Sequence, residues 1–362
     1  MKEKVKILLA YNEPVGGIYE SYDGKRIKSE SSGSIDFSEV GVLEEYEEIK
    51  ETLNKCGYQT EAFNLLDNID ELCSKLGSGE FDVVFNLVES VGGESIKEMY
   101  VAGIYELYNI PYTGCSAVTL GLCLNKHRAK LIMKGAGFNV PNWKLYQNPS
   151  TIIFDSKPEF PVIVKPSQED ASVGISEQSV VYNENDLKEQ LEFLYNTLKQ
   201  PILVEEYIEG REINSAILGD KEKIALPLSE ISFDTLPEDL PKIVTYDGKW
   251  IKDSLYYKNT IPVCPAPLDN EFAEKIKKIA LEVSNLFGCR DYCRVDFRID
   301  KNNQPYILEV NPNPDISIDA GFARAAKAYG LSYDELLVRI IEFALERKRW
   351  KFERWIKKTE KN

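Results

Sequence analysis

The segment CRVDFRIDKNNQPYILEVNPNPD places much chemistry in few residues. Val295, Phe297 and Ile299 alternate with polar residues, and Tyr306, Leu308 and Val310 do the same, which is the period of two half-buried strands. Asn302 and Asn303 lie between the strands, and Asn tolerates positive φ, so a two-residue hairpin turn is predicted there. That register sets Asp296 opposite Glu309 and Arg294 opposite Asn311. Directly opposed Cβ atoms lie roughly 4.5–5.5 Å apart, where two like charges destabilise the pair unless something neutralises them. A divalent cation would do so, because carboxylate and amide oxygens are the hard ligands that Mg²⁺ combines with water and phosphate. A solvated polar face is the plainer reading of the same pattern. Arg294 beside the pair favours phosphoryl or acyl chemistry, since it can stabilise charge developing on oxygen.

Cations recur upstream. In FPVIVKPSQEDASVGIS, Lys165 ends a buried strand and precedes a loop with Ser and Gly, so an ammonium and free backbone N–H groups point the same way, as in a phosphate cradle. In ILVEEYIEGRE a strand exposes its backbone after Glu205, and Glu212 falls where a carboxylate can bind ribose hydroxyls. Each also has a bland reading, a solvated strand-end lysine and an acidic loop. There is no Walker A pattern, and GGI at 16–18 does not make a Rossmann fingerprint.

The elements that must position these groups read as three stretches. VKILLA (5–10), the segment 57–65 and FDVVFNLV (81–88) are predicted strands. They alternate with a helix from Ser38 to Cys56, on which Leu43, Tyr46, Ile49 or Lys50, and Leu53 recur, and with a shorter helix. Gly57 is placed to end the longer helix, and the alternation predicts a parallel sheet. The polar tract 12–37 is long for a connector and is expected to be partly disordered. After NIPYTG (109–114) come two helical segments to Gly137, the strands 161–167 and 179–182, a helix to Lys199 and the strand 201–210. A helix from Leu268 to Gly288, the hairpin and two C-terminal helices complete the chain.

Composition limits the alternatives. The chain has 362 residues, 43% hydrophobic, with a net charge of −15, so attraction to nucleic acid or anionic lipid is opposed and phosphates need local cations. No apolar run approaches the roughly 20 residues that span a bilayer. The seven cysteines are odd in number and lack a zinc-type pair, which predicts reduced thiols and a cytoplasmic protein. The single histidine, His127, is expected at the surface or at a helix start, so chemistry falls to carboxylates, Lys and Arg.

Together, NIPYTG, NKHRAK, FPVIVKPS, SVGIS, ILVEEYIEGRE, TYDGKW, CPAPL, RVDFRID and LEVNPNPD resemble, in order, the D-alanine–D-alanine ligase branch of the ATP-grasp superfamily, over roughly residues 80–315. The resemblance implies an α/β ATP-grasp fold of three domains: a Rossmann-like parallel sheet in 1–122, a central subdomain in 123–204 and a metal-binding one in 205–362. It implies that Lys126, Lys165 and the loop lysine Lys249 contact ATP phosphates, with Ser172 in the cradle. Glu205 and the backbone of Glu206 and Ile208 are expected to meet adenine, and Glu212 the ribose. Asp296, Glu309 and Asn311 match the family's Mg²⁺ ligands, with Mn²⁺ as a substitute, and Arg294 matches the arginine that stabilises an acyl phosphate. The implied reaction joins a small carboxylate to an amine, in a cytoplasmic homodimer with neither nucleic-acid nor membrane partners.

The chain departs from that pattern around the substrates. The family's Ser and Tyr, which orient the first amino acid and the closing loop, correspond to Ala171 and Trp250. The expected His-Gly after the third strand is Val88-Glu89-Ser90, leaving Glu89 to meet a substrate amine. Glu13 and Glu39 both compete for the N-terminal Glu. ISIDAGFARAA replaces the Ser-Leu pair, with Ser317, Asp319 and Arg324 as candidates or, alternatively, a helix cap with a packed Ala face. The expectation is a ligase for substrates other than D-alanine. Its rivals are a true D-alanine–D-alanine ligase, a ligase extending a larger carboxylate, and an ATP-binding regulator without catalysis. The basic ERKRWKFERWIKK helix is expected to cap its own domain rather than a membrane.

Overall fold

A computed structural model describes residues 4–13, 37–148 and 158–359, with side chains described in 4–13, 45–148 and 158–348. Most of the polar tract, 14–36, therefore lies outside the described residues.

Strands β1 (Lys6–Tyr11), β2 (Gln59–Asn64) and β3 (Val83–Asn86) form the predicted parallel sheet, in the order β2-β1-β3. A strand covered on both faces reads as a continuous apolar run, and KILLAY is one. Ile7 and Leu9 pack with Ile49 and Leu53 of α1 (Phe37–Lys55), while Leu8 and Ala10 pack with Leu72 of α2 (Ile69–Gly77) and Tyr105 of α3 (Glu98–Leu107). Tyr46 stacks on Tyr11, their ring centroids 3.9 Å apart, and α1 stops before Gly57, whose φ of +98° suits a residue without Cβ.

Helices α4 (Ala117–Leu124) and α5 (Lys126–Gly135) lead into a four-stranded antiparallel sheet. It contains β4 (Trp143–Tyr146), β5 (Val162–Pro166), β6 (Val180–Val181) and β7 (Ile202–Glu206), in the order β4-β7-β5-β6. The expected division at 204/205 falls within β7. Helix α6 (Glu184–Leu198) covers the sheet with Leu187 and Leu191, both fully buried and each contributing about 1.5–3 kcal/mol.

The last sheet runs β11-β10-β8-β12-β13, with β9 beside β8. Its strands are β8 (Arg211–Gly219), β9 (Lys223–Ala225), β10 (Ser229–Ser232), β11 (Ile261–Val263), β12 (Asp291–Ile299) and β13 (Pro305–Asn311). Short helices α7 (Tyr246–Trp250) and α8 (Leu255–Asn259) lie between β10 and β11, and α9 (Asn270–Leu286) packs Ile276, Ala280 and Val283 into the core. Gly210 carries the chain from the central sheet to this one, and a Cβ there would sit 1.9 Å from the Ile299 carbonyl oxygen, so only glycine fits.

Helix α10 (Gly321–Tyr329) buries the predicted Ala face through Ala323, Ala325 and Ala326, but its N-cap is Ala320, which makes no side-chain cap bond. Helix α11 (Tyr333–Thr359) docks on the first sheet through Leu336, Leu337, Ile340 and Ile341. Arg347 then clamps Asp291, with an Nη2–Oδ2 distance of 2.8 Å. No helix among the described residues is long and apolar enough to cross a membrane. All seven cysteines are free thiols.

The hairpin turn differs from the two-residue turn expected. Asp300 carbonyl accepts from Asn303 N–H at 3.0 Å, Asn303 has φ +58°, and Asp300 N–H donates to Gln304 carbonyl at 3.1 Å. This is a three-residue loop closed by a left-handed Asn. Its register sets Phe297 opposite Ile307, yet Asp296 faces Glu309 and Arg294 faces Asn311, because a bulge at Leu308 restores the register in between. The expected pairing is present at the site end through two features that offset each other.

Candidate active site

The three sheets enclose one cavity of about 1560 Å³. That exceeds the roughly 300–1,000 Å³ of a pocket for one small ligand. Of the candidate site residues named from the sequence, all line it except Glu13, which is exposed at the end of β1, and Glu39, whose side chain lies outside the described residues.

Cations are concentrated at one end. Lys126 opens α5, where Asn125 caps the helix by accepting from Arg128 N–H. Its ammonium donates to Asp170 at 3.1 Å and lies 3.3 Å from Glu309. Burial works against this charge, but Glu309 and Asp170 outweigh it and hold Lys126 well above the ordinary lysine range. Lys165, on β5, pairs with Glu205 at 2.9 Å. The other Glu205 oxygen lies 3.1 Å from Lys130, so this carboxylate is committed to two lysines. Glu206 N–H donates to Asn142 carbonyl at 2.8 Å, and Ile208 carbonyl accepts from Arg298 at 3.0 Å. The Glu206 N–H and the Ile208 carbonyl are thereby both occupied. Glu212 pairs with Arg298 at 3.4 Å, and burial raises its carboxyl above the usual range.

The loop after β5 turns through two consecutive left-handed residues, Ala171 (φ +53°) and Ser172 (φ +61°). Trp250 closes over it, its indole N–H donating to the Ala171 carbonyl at 3.2 Å. The two positions that the resemblance set against a Ser and a Tyr thus touch, through the Trp250 side chain and the Ala171 backbone. Lys249 precedes Trp250 on α7, and burial followed by Arg294 lowers its ammonium.

The opposed pair on β12 and β13 is ringed by donors. Arg294 grips Asp296 with two bonds of 2.7 and 2.8 Å, and Asn214 donates to it at 2.9 Å. Burial resists the charge of Glu309, yet Lys126, Lys165, Lys249 and Arg294 pull its carboxyl down to about 2, so it is ionised at any physiological pH. Among the described residues no three His, Cys, Asp or Glu side chains form a metal cluster. The expected set holds two carboxylates and the Asn311 amide, all oxygen donors on adjacent strands. That set fits Mg²⁺ only where phosphate and water complete the shell, as this ion prefers.

The other end of the cavity is acidic. Glu45, Glu48, Glu89 and Glu98 line it from the first unit, and Asp315 and Asp319 from the segment after β13. Burial first, then Asp315 and Glu89, raise the Glu45 carboxyl well above the usual range; burial and Glu89 do the same to Glu98, which accepts from Asn313 at 2.9 Å. Ser317 donates its hydroxyl to Asp315 at 2.5 Å. Arg324 also lines the cavity and donates to the Asp319 carbonyl.

Sequence reasoning missed several of these groups. Arg298 follows Arg294 and Asp296 at period two, and Lys130 follows Lys126 by one helical turn, so both had a local signal. Asn214, Glu45 and Glu98 reach the site through long-range packing and had none.

A family profile described as D-ala D-ala ligase C-terminus matches residues 132–342. The chain is 33% identical to the uncharacterized protein y4sG of Sinorhizobium fredii over 73% of this chain and 75% of that protein. It is 30% identical to a D-alanine–D-alanine ligase of Mannheimia succiniciproducens over 73% of this chain and 81% of that one. In fold it is similar to the D-alanine–D-alanine ligase from Bacillus anthracis complexed with ATP, with a TM-score of 0.71 at 24% identity over 96% of this chain and 99% of that one.

Proposed function

Because the chain belongs to the D-alanine–D-alanine ligase family of ATP-grasp enzymes, we propose that it activates a small carboxylate as an acyl phosphate and joins it to an amine other than D-alanine. Membership makes it an ATP-dependent, ADP-forming ligase of C–N bonds. The observation that supports the site reading is the convergence of Lys126, Lys165, Lys249 and Arg294 on the Asp296–Glu309 pair within one cavity.

In this reading a substrate carboxylate oxygen attacks the γ-phosphorus in line and ADP leaves; the amine nitrogen then attacks the acyl carbon and phosphate leaves. Lys126, Lys165 and Lys249 offset the charge of the phosphate chain, and Glu205 orients Lys165. Arg294 is placed to stabilise the oxyanion of the second step. Asp296, Glu309 and Asn311 would hold Mg²⁺, which supplies charge neutralisation for the transferred phosphoryl group. The Trp250–Ala171 bond holds the two loops together over the nucleotide, excluding water from the acyl phosphate.

Two features support substrates other than D-alanine. The loop contact made by side-chain hydroxyls in the family is here an indole on a carbonyl, and the substrate end carries six carboxylates, which favours an ammonium over a second bare carboxylate. The family relative of Mannheimia supports the rival reading of a true D-alanine–D-alanine ligase. ADP and phosphate release with Mg-ATP, measured against D- and L-amino acids, amines and small carboxylates in pairs with product masses recorded, separates them. D-Alanyl-D-alanine as the preferred product would overturn the substrate reading.

A further inference from the structure

Lys130 is a fully buried lysine, and no step above uses it. An ammonium without water is costly to bury and is retained only where partners surround it. Lys130 has two: the Glu205 carboxylate at 3.1 Å and the carbonyl oxygen of Leu308 at 3.1 Å. Leu308 is the extra residue of the β13 bulge. A bulge leaves its extra residue outside the ladder, so the carbonyl of the half-buried Leu308 takes its donor from elsewhere. Lys130 supplies it.

The bulge decides which way Glu309 faces. If the pairing of Phe297 with Ile307 continued without interruption, Leu308 would lie opposite Asp296 and Glu309 opposite Val295, which is fully buried in the core. One residue of slip separates a carboxylate in the cavity from one aimed at the core. We propose that Lys130 is a positioning residue that fixes the Leu308 bulge and so holds Glu309 on the cavity face beside Asp296. The same ammonium also meets Glu205, but Glu205 holds Lys165 by itself at 2.9 Å, so the role proposed for Lys130 falls on the carboxylate pair and not on the nucleotide lysine. The proposal rests on the reading of Asp296 and Glu309 as the cation-binding pair.

The test is Mn²⁺ binding in the presence of ADP, counted by electron paramagnetic resonance, on the wild type and on Lys130→Met and Lys130→Gln. Lys130→Met leaves Glu205 its partner Lys165, and circular dichroism checks the fold. It is expected to weaken Mn²⁺ binding by roughly 10–100-fold, the range for groups that orient a metal ligand. Metal-free ADP binding, by calorimetry, should weaken much less, whereas a merely structural role would lower both together. Lys130→Gln keeps a donor for the Leu308 carbonyl and is expected to fall between, and it carries the test if the Met variant does not fold. Unchanged Mn²⁺ affinity in a folded variant overturns the proposal while the metal reading stands. A wild type that holds no Mn²⁺ with ADP overturns both.

Discussion

The lysine-lined end of the cavity and its acidic end follow opposite electrostatic plans. At the first, Lys126, Lys130, Lys165, Arg294 and Arg298 each meet a carboxylate within 3.4 Å. At the second, Glu45 and Glu98 accept only from neutral groups, the Ile316 N–H and the Asn313 amide, among the described residues. Paired charges keep their positions before a ligand arrives, so they suit a site whose task is to align phosphates. Carboxylates buried without a cation do the reverse: they raise the free energy of the empty lobe and give a cation a differential reason to enter. The first end matches what an ATP-dependent ligase must do, and the second is where the proposed amine substrate would be selected.

The largest expected effect breaks the first end. Glu309→Gln removes the charge that four cations converge on, and turnover should fall by at least ~10²–10³-fold, as for loss of a preorganised electrostatic group. Circular dichroism should show an intact fold, because the Gln amide can remain in the hydrated cavity. Turnover at the wild-type rate in that variant would reject the cation site and remove the distinction between the two ends.

Smaller effects sharpen the second end. Glu98→Gln and Glu45→Gln should each raise KM for the amine substrate by roughly tenfold, about 1.4 kcal/mol, with KM for ATP unchanged. Glu98 also predicts a pH dependence. Its folded value lies well above the unfolded one, so the native state binds its proton more tightly, and stability from this group falls as pH rises from the unfolded carboxyl value towards the folded one. Glu98→Gln, which cannot ionise, should therefore raise Tm, by about 2–4 °C and more at pH 8 than at pH 5, read by scanning calorimetry. An equal or lower Tm at pH 8 would mean that this carboxylate already has the cation that the comparison denies it.

The two ends also differed in what the sequence disclosed. The lysine-lined end is carried on strands whose period shows in the residue order, so Asp296, Glu309 and Arg294 could be placed on one face without coordinates. The turn was misread, since Asn303 alone takes positive φ, and the Leu308 bulge made the misreading harmless at Glu309. A bulge has no signature in alternating residues, so although Lys130 had a local signal one turn after Lys126, its bond to the Leu308 carbonyl had none. The acidic end is assembled from α1, α3 and the segment after β13, far apart in the chain. Of the acidic candidates named for it from the sequence, Glu89 and Asp319 line it, Glu13 is exposed at the end of β1, and the side chain of Glu39 lies outside the described residues. Glu45, Glu48, Glu98 and Asp315 line it too, and only packing selects them.

The smallest expected effect falls on Trp250, at the end of α7, which the proposed reading sets over the nucleotide. Trp250→Phe keeps a ring against Val173 and Tyr246 and deletes one hydrogen bond, from the indole to the Ala171 carbonyl. A neutral bond of this kind contributes about 0.5–1.5 kcal/mol, so the change expected is roughly 2–10-fold. The form of the change carries the information. If the bond holds the nucleotide loops closed, ADP release accelerates and KM for ATP rises while KM for the amine stays put, as stopped-flow and steady-state assays would read. If instead KM for the amine moves and ATP does not, Trp250 belongs to the substrate lobe. The boundary between the paired and unpaired ends would then have to be drawn on the nucleotide side of α7.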